Sequence, residues 1–257
     1  MLNDAVQPSP RRKANQSKQA SSFALGPRLP VHLRGCFLSN PENVILLGAG
    51  GQARVVCDIL LSQALHTVVA AIDVVKPPEP RFVLGIPVAG DHSSIPALIA
   101  NGVTAGFVAI GNNEIRKIRF LELLELKLKI INAIHPFSFS SNQVVLGCGV
   151  MVGPGVIVGW GSHIGNNVIL NSGAIIEHEC EIGHHVHVGP RAVVAGSVRI
   201  GDGSFIGIGA VVREGVTIGE NAVVGAGAIV LEDVPANAVV AGSPGRVVKM
   251  RCVSLLV

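Results

Sequence analysis

The sequence predicts two folds in one chain, a small α/β domain of the Rossmann type followed by an all-β parallel β-helix. A glycine-rich turn joins an apolar strand pattern to a helical pattern near residue 50, which predicts the first fold. From residue 146 onward an aliphatic residue recurs at every sixth position, which predicts the second. The composition agrees, because 31 glycines and 4% aromatic residues suit a tightly repeating β structure better than a helical bundle.

The six-residue period continues through fifteen positions without a miss. The aliphatic residues are Leu146, Val152, Val158, Ile164, Leu170, Ile176, Ile182, Val188, Val194, Ile200, Ile206, Val212, Ile218, Val224 and Val230. A small residue follows each of the first fourteen by four positions. Hexapeptide repeats predict a parallel β-helix in which three hexads form one triangular coil. Residue n then lies about 4.8 Å beneath residue n+18, as in any sheet, and fifteen hexads predict five coils.

The segment NVILLGAGGQARVVCDILL (43–61) predicts a strand, a glycine turn and a helix. Its glycines would let backbone amides approach a phosphate at the helix N-terminus. A second strand ends near Asp73, and a third ends at a tip that precedes a helix. We therefore expect a nucleotide to contact Gly50, Gly51, Gln52, Asp73, Gly111 and Arg116. The domain is too short for the two halves that hold a dinucleotide, which argues against NAD. A plain βα turn is the alternative interpretation.

These patterns divide the chain into a basic tail over residues 1–42, the α/β domain over 43–132 and the β-helix over 133–250. Residues 1–40 hold six Lys or Arg against one acid, a balance of +5, so the rest of the chain is at −2. Nucleic-acid binding is therefore not expected. We expect the tail to be disordered, an early start codon or an organelle transit peptide being the alternatives.

The sequence holds no apolar run long enough to span a membrane, and five scattered cysteines favour the reducing cytoplasm.

The hexads, AIGNNEIRK (109–117) and IEHEC (176–180) resemble bacterial nucleotide-sugar acetyltransferases. These are the N-acetyltransferases of bacillosamine and perosamine pathways and the sialic acid O-acetyltransferases. The resemblance covers roughly residues 43–250. It implies a left-handed coil, a homotrimer with sites between neighbouring copies, acetyl-CoA as acetyl donor and a nucleotide-linked amino sugar as acceptor. The family often has histidine at the position of Gln52. Its terminal cap, which lies near the nucleotide end of the coenzyme, matches Pro235, Ala236, Asn237, Gly242 and Pro244.

The stretch AIIEHECEIGHHVHVG (174–189) carries the candidate acid–base residues. The repeat points Ile176 inward and leaves His178 and Glu179 outside, with Gly196 one coil above. Histidine is the natural base near neutral pH. We therefore expect His178 to act as the general base, Glu179 to orient it, and the Gly196 amide to stabilise an oxyanion.

The resemblance implies further roles in this part of the chain. It implies that Gly196, His187 and Ile208 contact acetyl-CoA, and that Ala226 replaces a glycine that often lines the coenzyme channel. The neighbouring His184 and His185 are expected to be solvated. The expected activity is acetyl-CoA-dependent N-acetylation in surface glycan biosynthesis.

Three alternatives to this activity stay open. The first is O-acetylation of a sialic acid-like sugar, and the second is a non-catalytic β-helix scaffold. The third is a zinc enzyme related to the γ-type carbonic anhydrases, which also use a trimeric left-handed β-helix. That family would have an H-x-x-x-x-H pair, whereas five residues separate His178 from His184. No metal is therefore expected.

Overall fold

The computed structural model describes residues 41–73 and 79–251. The tail expected over residues 1–42 lies almost entirely outside this part of the chain. The predicted combination of an α/β domain and a parallel β-helix is confirmed.

The α/β domain alternates short strands and helices. Its elements are β1 (Asn43–Leu47), α1 (Gly51–Gln63), β2 (Thr67–Ile72), β3 (Phe82–Val83), β4 (Ile86–Gly90), a 3-10 turn (His92–Ser94), α2 (Ile95–Ala100), β5 (Ala105–Val108), α3 (Asn113–Glu125) and β6 (Lys129–Ile130). The sheet order is β3-β4-β2-β1-β5-β6, and all pairs are parallel except the β3–β4 hairpin. The carboxyl ends of β1, β2 and β5 therefore meet at one edge, where ligands of open α/β sheets bind.

The β-helix has three faces built almost entirely from two-residue strands. Face 1 contains β7 (Ala133–Ile134), β10 (Met151–Val152), β13 (Ile169–Leu170), β16 (His187–Val188), β19 (Phe205–Ile206), β22 (Val223–Val224) and β24 (Ala238–Ala241), and β25 (Arg246–Met250) pairs antiparallel with β24. Face 2 contains β8 (Phe139–Ser140), β11 (Ile157–Val158), β14 (Ile175–Ile176), β17 (Val193–Val194), β20 (Val211–Val212) and β23 (Ile229–Val230). Face 3 contains β9 (Val145–Leu146), β12 (His163–Ile164), β15 (Glu181–Ile182), β18 (Arg199–Ile200) and β21 (Thr217–Ile218).

The register confirms the stacking expected for eighteen residues per coil. Ile157 pairs with Ile175, and Ile175 pairs with Val193. The aliphatic residues and the small residues of the two columns form one continuous buried core. The helix starts earlier than the period indicated, at β7 and β8, so it has more than the five coils that fifteen hexads predicted. The six-residue period is interrupted here because Ser140, a polar residue, occupies the inward position of β8, where it is buried.

Glycines after the aliphatic column are required by the close stacking of coils. A Cβ on Gly159 would lie 2.7 Å from the backbone of Glu177 and His178 in the next coil. Gly161, two residues later, instead has a φ of +73°, a conformation that glycine adopts without steric cost. Glycine is therefore required at position 159 by the close packing of coils, and it is favoured at position 161 by the backbone conformation.

The outward residues distinguish the faces of the β-helix. On face 2 they are apolar in every strand, namely Phe139, Ile157, Ile175, Val193, Val211 and Ile229. On face 3 they are polar from the second strand on, namely His163, Glu181, Arg199 and Thr217. Face 1 is covered in its first coils by the α/β domain, whose core continues through α1 into Ala133, Met151 and Ile169.

No helix in residues 41–73 or 79–251 is long and apolar enough to cross a membrane.

Candidate active site

His178 lies on the corner between faces 2 and 3, in the turn that follows β14. Its Nδ1 is 3.2 Å from Oε2 of Glu179, and both side chains are about half exposed, at 50% and 56%. Because an ionised carboxylate only accepts hydrogen bonds, Nδ1 carries the hydrogen and donates it. The lone pair of Nε2 is then available to take a proton from a substrate.

Gly196 lies directly above this ring, one coil later. A Cβ at Gly196 would stand 2.4 Å from Cε1 and 2.6 Å from Nε2 of His178. Within the described residues, the Gly196 N–H has no hydrogen-bond acceptor. The structure thus places an imidazole, a carboxylate within hydrogen-bonding distance of it and an amide with no acceptor among the described residues on one corner, whereas their catalytic roles stay a prediction.

Ile208 and Ala226 stand on a different corner, between faces 1 and 2. They are one coil apart, and the Gly227 amide donates to the Ile208 carbonyl at 2.8 Å. Both side chains are exposed. Within a single chain, these predicted coenzyme residues are therefore separated from His178 by the width of face 2.

His187 is a third component, located on face 1 under the α/β domain and only 8% exposed. Its Nδ1 donates to the Gly111 carbonyl at 3.3 Å, and its ring meets Phe205 edge-on at 5.0 Å between centroids. Asn171 donates to Nε2 at 3.4 Å. Burial, followed by the charge of Arg116, lowers the pKa of His187 to about 4, although the hydrogen bond to the Gly111 carbonyl opposes the shift. The ring is therefore neutral at pH 7.

The other two histidines of the cluster differ from one another. His184 is exposed, as expected, and its Nδ1 accepts from the Asn166 amide at 2.9 Å. The prediction that His185 is solvated is wrong. Its ring packs edge-on against Phe120 of α3 at 5.6 Å between centroids, and burial, followed by the charge of Lys117, lowers its pKa to about 4.

A cavity of about 290 Å³ opens at the carboxyl edge of the α/β sheet. Five residues expected to contact a nucleotide line it, namely Gly50, Gly51, Gln52, Asp73 and Gly111. Gly48 begins the turn with a φ of +118°, and a Cβ there would lie 2.7 Å from the Ala109 carbonyl oxygen. Only glycine fits that position, so the turn keeps its backbone open to the cavity.

An arginine that the sequence interpretation missed contacts two residues that line this cavity. Arg81 forms an ion pair with Asp73 and also approaches the Ala49 carbonyl at 3.4 Å.

A second set of missed residues forms a polar wall of the cavity. His92 Nδ1 lies 2.7 Å from one oxygen of Glu122, and Arg119 donates to the other at 2.9 Å. Arg119 and Ile115 face the cavity together because they are four positions apart on α3. This four-residue spacing is the sequence feature that could have identified Arg119 as a cavity residue.

The predicted contact between a nucleotide and Arg116 does not agree with the structure. Arg116 is 1% exposed and does not line the cavity. Its guanidinium instead donates to backbone carbonyls of the β-helix, at 2.8 Å to His185 and 3.1 Å to Asn167. Arg116 lies one helical turn before Arg119, the residue that does face the cavity.

The metal alternative finds no geometric counterpart in this cluster. Within residues 41–73 and 79–251, no group of three or more His, Cys, Asp or Glu side chains is arranged to hold a metal ion.

Comparison with known families matches both parts of the chain. Residues 43–123 match the PglD N-terminal domain, and residues 161–196 and 197–232 match the bacterial transferase hexapeptide. Residues 143–172 match the hexapeptide repeat of succinyl-transferase.

Solved structures resemble the whole described body. A histidine variant of perosamine N-acetyltransferase from Caulobacter crescentus, in complex with CoA and GDP-perosamine, is 39% identical with a TM-score of 0.77, over 80% of this chain and 96% of that one. The acetyltransferase domain of PglB from Neisseria gonorrhoeae, in complex with acetyl coenzyme A, is 30% identical with a TM-score of 0.75, over 81% and 100%. WeeI from Acinetobacter baumannii is 26% identical with a TM-score of 0.72, over 80% and 100%.

The fold and these matches define the protein as a hexapeptide-repeat acyltransferase. More narrowly, the chain belongs to the family of acetyl-CoA-dependent N-acetyltransferases that act on nucleotide-linked amino sugars.

Proposed function

We propose that this protein transfers the acetyl group of acetyl-CoA to the amine of a nucleotide-linked amino sugar, with His178 as general base. The observation that carries the proposal is the stack of His178 on Gly196. It combines a carboxylate-oriented imidazole with an unpaired amide on one exposed corner. The nucleotide-sized cavity at the sheet edge supports the acceptor class, because it offers a glycine turn and Asp73.

The chemistry follows from the atoms at this corner. The lone pair of the neutral sugar amine attacks the thioester carbonyl, and Nε2 of His178 takes the proton that nitrogen loses. The Gly196 N–H donates to the oxyanion that forms. When the tetrahedral species collapses, the C–S bond breaks, and the imidazolium returns its proton to the departing thiolate. Glu179 stabilises the imidazolium between these two steps.

The apolar outward row of face 2 supports a site shared between copies of the chain. A row of six apolar residues on one face, beside a polar face 3, is the kind of surface that a symmetric assembly buries. If three copies direct face 2 toward a common axis, the corner between faces 2 and 3 of one copy meets the corner between faces 1 and 2 of the next. His178 and Gly196 of one copy then approach Ile208 and Ala226 of its neighbour.

This arrangement gives the remaining residues their proposed roles. Ile208 and Ala226 line the coenzyme path, and His187 contacts the coenzyme from the edge of the α/β domain. The terminal loop with Pro235 and Pro244 lies near the nucleotide end of the coenzyme. The sugar nucleotide is held through Asp73 and the turn from Gly50 to Gln52, with Gly111 on the opposite wall.

A direct assay tests the proposal. Purified protein is incubated with acetyl-CoA and a panel of UDP-, GDP- and dTDP-linked amino sugars, and with CMP-linked sialic acid, while released CoA thiol is measured. We expect thiol release with an amino sugar and a product of acetylated mass that resists hydroxylamine, since amides survive it and esters do not. A hydroxylamine-labile product would assign an O-acetyltransferase instead. Absence of release with every acceptor would contradict the proposed class.

A further inference from the structure

Arg116 is a buried cation at the junction between the α/β domain and the β-helix. In the described part of the chain its guanidinium forms no ion pair, and every acceptor near it is a carbonyl or an amide oxygen. Burial lowers its pKa to about 9, so the group is still charged at neutral pH. Burying a charge without a counter-charge is expensive unless its donors are all used.

The acceptors of Arg116 come from both domains. From the α/β domain, the Gly111 carbonyl accepts at 3.1 Å and Oδ1 of Asn113 at 2.8 Å. From the β-helix, the carbonyls of His185 and Asn167 accept at 2.8 and 3.1 Å. The guanidinium therefore ties the tip that follows β5 to the corner between faces 3 and 1.

Neighbouring contacts hold the same tip from other directions. His187 donates to the Gly111 carbonyl that Arg116 also bonds. Asn113 donates to the carbonyls of Gly203 and Ser204 at 2.9 and 3.1 Å, and Asn167 donates back to the Arg116 carbonyl at 3.2 Å. We call this set of contacts around Gly111 the tip clamp, with Arg116 at its centre.

The tip clamp connects the two parts of the proposed site. Gly111 forms a wall of the nucleotide cavity, whereas the corner residues that Arg116 bonds belong to the coils that also carry His178. We infer that Arg116 is a positioning residue, which fixes the nucleotide cavity at a set distance from the β-helix so that the sugar amine reaches the thioester. This inference rests on the proposed function.

The geometry explains why arginine stands here rather than lysine or an apolar residue. A guanidinium presents five N–H donors in a rigid fork and bonds carbonyls in several directions at once, whereas an ammonium is a point charge with three donors. An apolar residue would remove one hydrogen-bond donor from each of the Gly111, His185 and Asn167 carbonyls. A displacement of the reacting groups by about 1 Å can reduce turnover by about 10²-fold.

The test compares two acceptors that carry the same amino sugar, of which only one has a nucleotide to bind in the cavity. One is the nucleotide-linked amino sugar, and the other is the methyl glycoside of the same amino sugar, which the α/β domain has no means to hold. The variants are Arg116→Met and Arg116→Lys, with Lys117→Met as a matched control, because Lys117 is an exposed cation beside Arg116 that does not line the nucleotide cavity.

For Arg116→Met we expect kcat with the nucleotide-linked acceptor to fall about 10²-fold. The Kd of the nucleotide and the kcat/KM of the methyl glycoside should stay within about threefold of wild type, since the cavity and the His178 corner are each intact. Arg116→Lys should fall about tenfold, between Met and wild type. Lys117→Met should match wild type with both acceptors.

An equal loss with both acceptors would overturn the inference, because it would make Arg116 a folding element only. Unchanged kcat with the nucleotide-linked acceptor would also overturn it. If Arg116→Met does not fold, Arg116→Lys decides by the same comparison.

If wild type acetylates neither acceptor, the proposed function fails. Hydrogen exchange of the intact protein then tests whether the tip clamp holds the two domains together. Faster exchange in Arg116→Lys at residues 110–113 and 185–187, with the coil core unchanged, supports the clamp. Unchanged exchange there overturns it.

Discussion

The imidazole of His178 rests on the α-carbon of Gly196 in the next coil. The contact is too close for any other residue, because a Cβ on Gly196 would stand 2.4 Å from Cε1 of the ring. Gly196 does not have a positive φ, so its backbone alone would accept alanine. The glycine is therefore required by the His178 ring rather than by the turn.

Gly196→Ala should consequently disable the enzyme without unfolding it. The added methyl must push the imidazole away from its alignment with Glu179, and we expect turnover to fall by about 10² or more. Steady-state rates and the melting temperature are the measurements. Gly155→Ala is the control, since Gly155 has a φ of +71° but its Cβ would meet its nearest neighbour at 3.8 Å. That variant should lose about 1–2 kcal/mol of stability and keep its turnover. Full activity in Gly196→Ala would refute the stacking argument.

His178→Ala should cost about 10²–10⁴ in turnover, as expected for loss of a general base. Acetyl-CoA binding should be retained, because the proposed coenzyme path is lined by Ile208 and Ala226, which the substitution leaves in place. Glu179→Gln should give an intermediate loss, since it weakens the orientation of the ring but leaves Nε2 in place. His184→Ala is the matched control, being an exposed histidine on a different corner. Equal losses in His184→Ala and His178→Ala would mean that the cluster acts as a unit, as a metal site would.

The histidine site and the coils could be predicted from sequence because a six-residue period assigns each residue a direction. Ser140 shows where that argument stops, since one polar residue in an inward position breaks the six-residue period before Leu146. The period also says nothing about what covers a face. His185 and His187 lie beneath the α/β domain, and only the docking of the two domains makes one pack on Phe120 and the other bond Gly111.

The two arginines of α3 show the same limit. Arg116 and Arg119 are one helical turn apart, and the local sequence favours neither as the residue that faces the nucleotide. The structure directs Arg119 to the cavity and Arg116 to the β-helix. Which side of a helix meets which partner depends on contacts distant in sequence, so the choice of Arg116 as a ligand residue could not have been corrected from α3 alone.

Acid should destabilise the protein through His187. Its pKa is lowered to about 4 in the folded state, whereas the unfolded chain has the ordinary value near 6.5. Between these values the unfolded state binds more protons, so stability is lost as the pH falls from about 6.5 to about 4, by up to about 3 kcal/mol. His187→Gln should reduce this dependence in urea unfolding at pH 7 and 4.5, leaving the contribution of His185, whose pKa is also lowered to about 4. His163→Gln, at an exposed position, should not. A parallel pH dependence in both variants would contradict the assignment.

Asp73→Asn should weaken binding of the sugar nucleotide by about 10- to 100-fold, the range expected when a charged acceptor loses its bond to a ligand hydroxyl. The affinity for acetyl-CoA should not change, because Asp73 lines the cavity of the α/β domain and the proposed coenzyme path follows the β-helix. Calorimetric titration with each ligand separately measures both effects. Equal weakening of both ligands would show that the two sites are not divided between the domains in this way.

The last prediction follows from the proposed division of the active site between copies of the chain. If His178 of one copy works with Ile208 of the next, His178→Ala and Ile208→Glu should each be inactive alone but should complement one another when co-expressed. In a random three-membered ring, a site is intact when an Ile208→Glu copy supplies His178 and its neighbour, a His178→Ala copy, supplies Ile208, which occurs in roughly a quarter of sites. We therefore expect about a quarter of wild-type turnover from the mixture. Co-expression of His178→Ala with Gly196→Ala should restore nothing, because those residues share one corner of one chain. No recovery in the first mixture would place the whole site within a single copy.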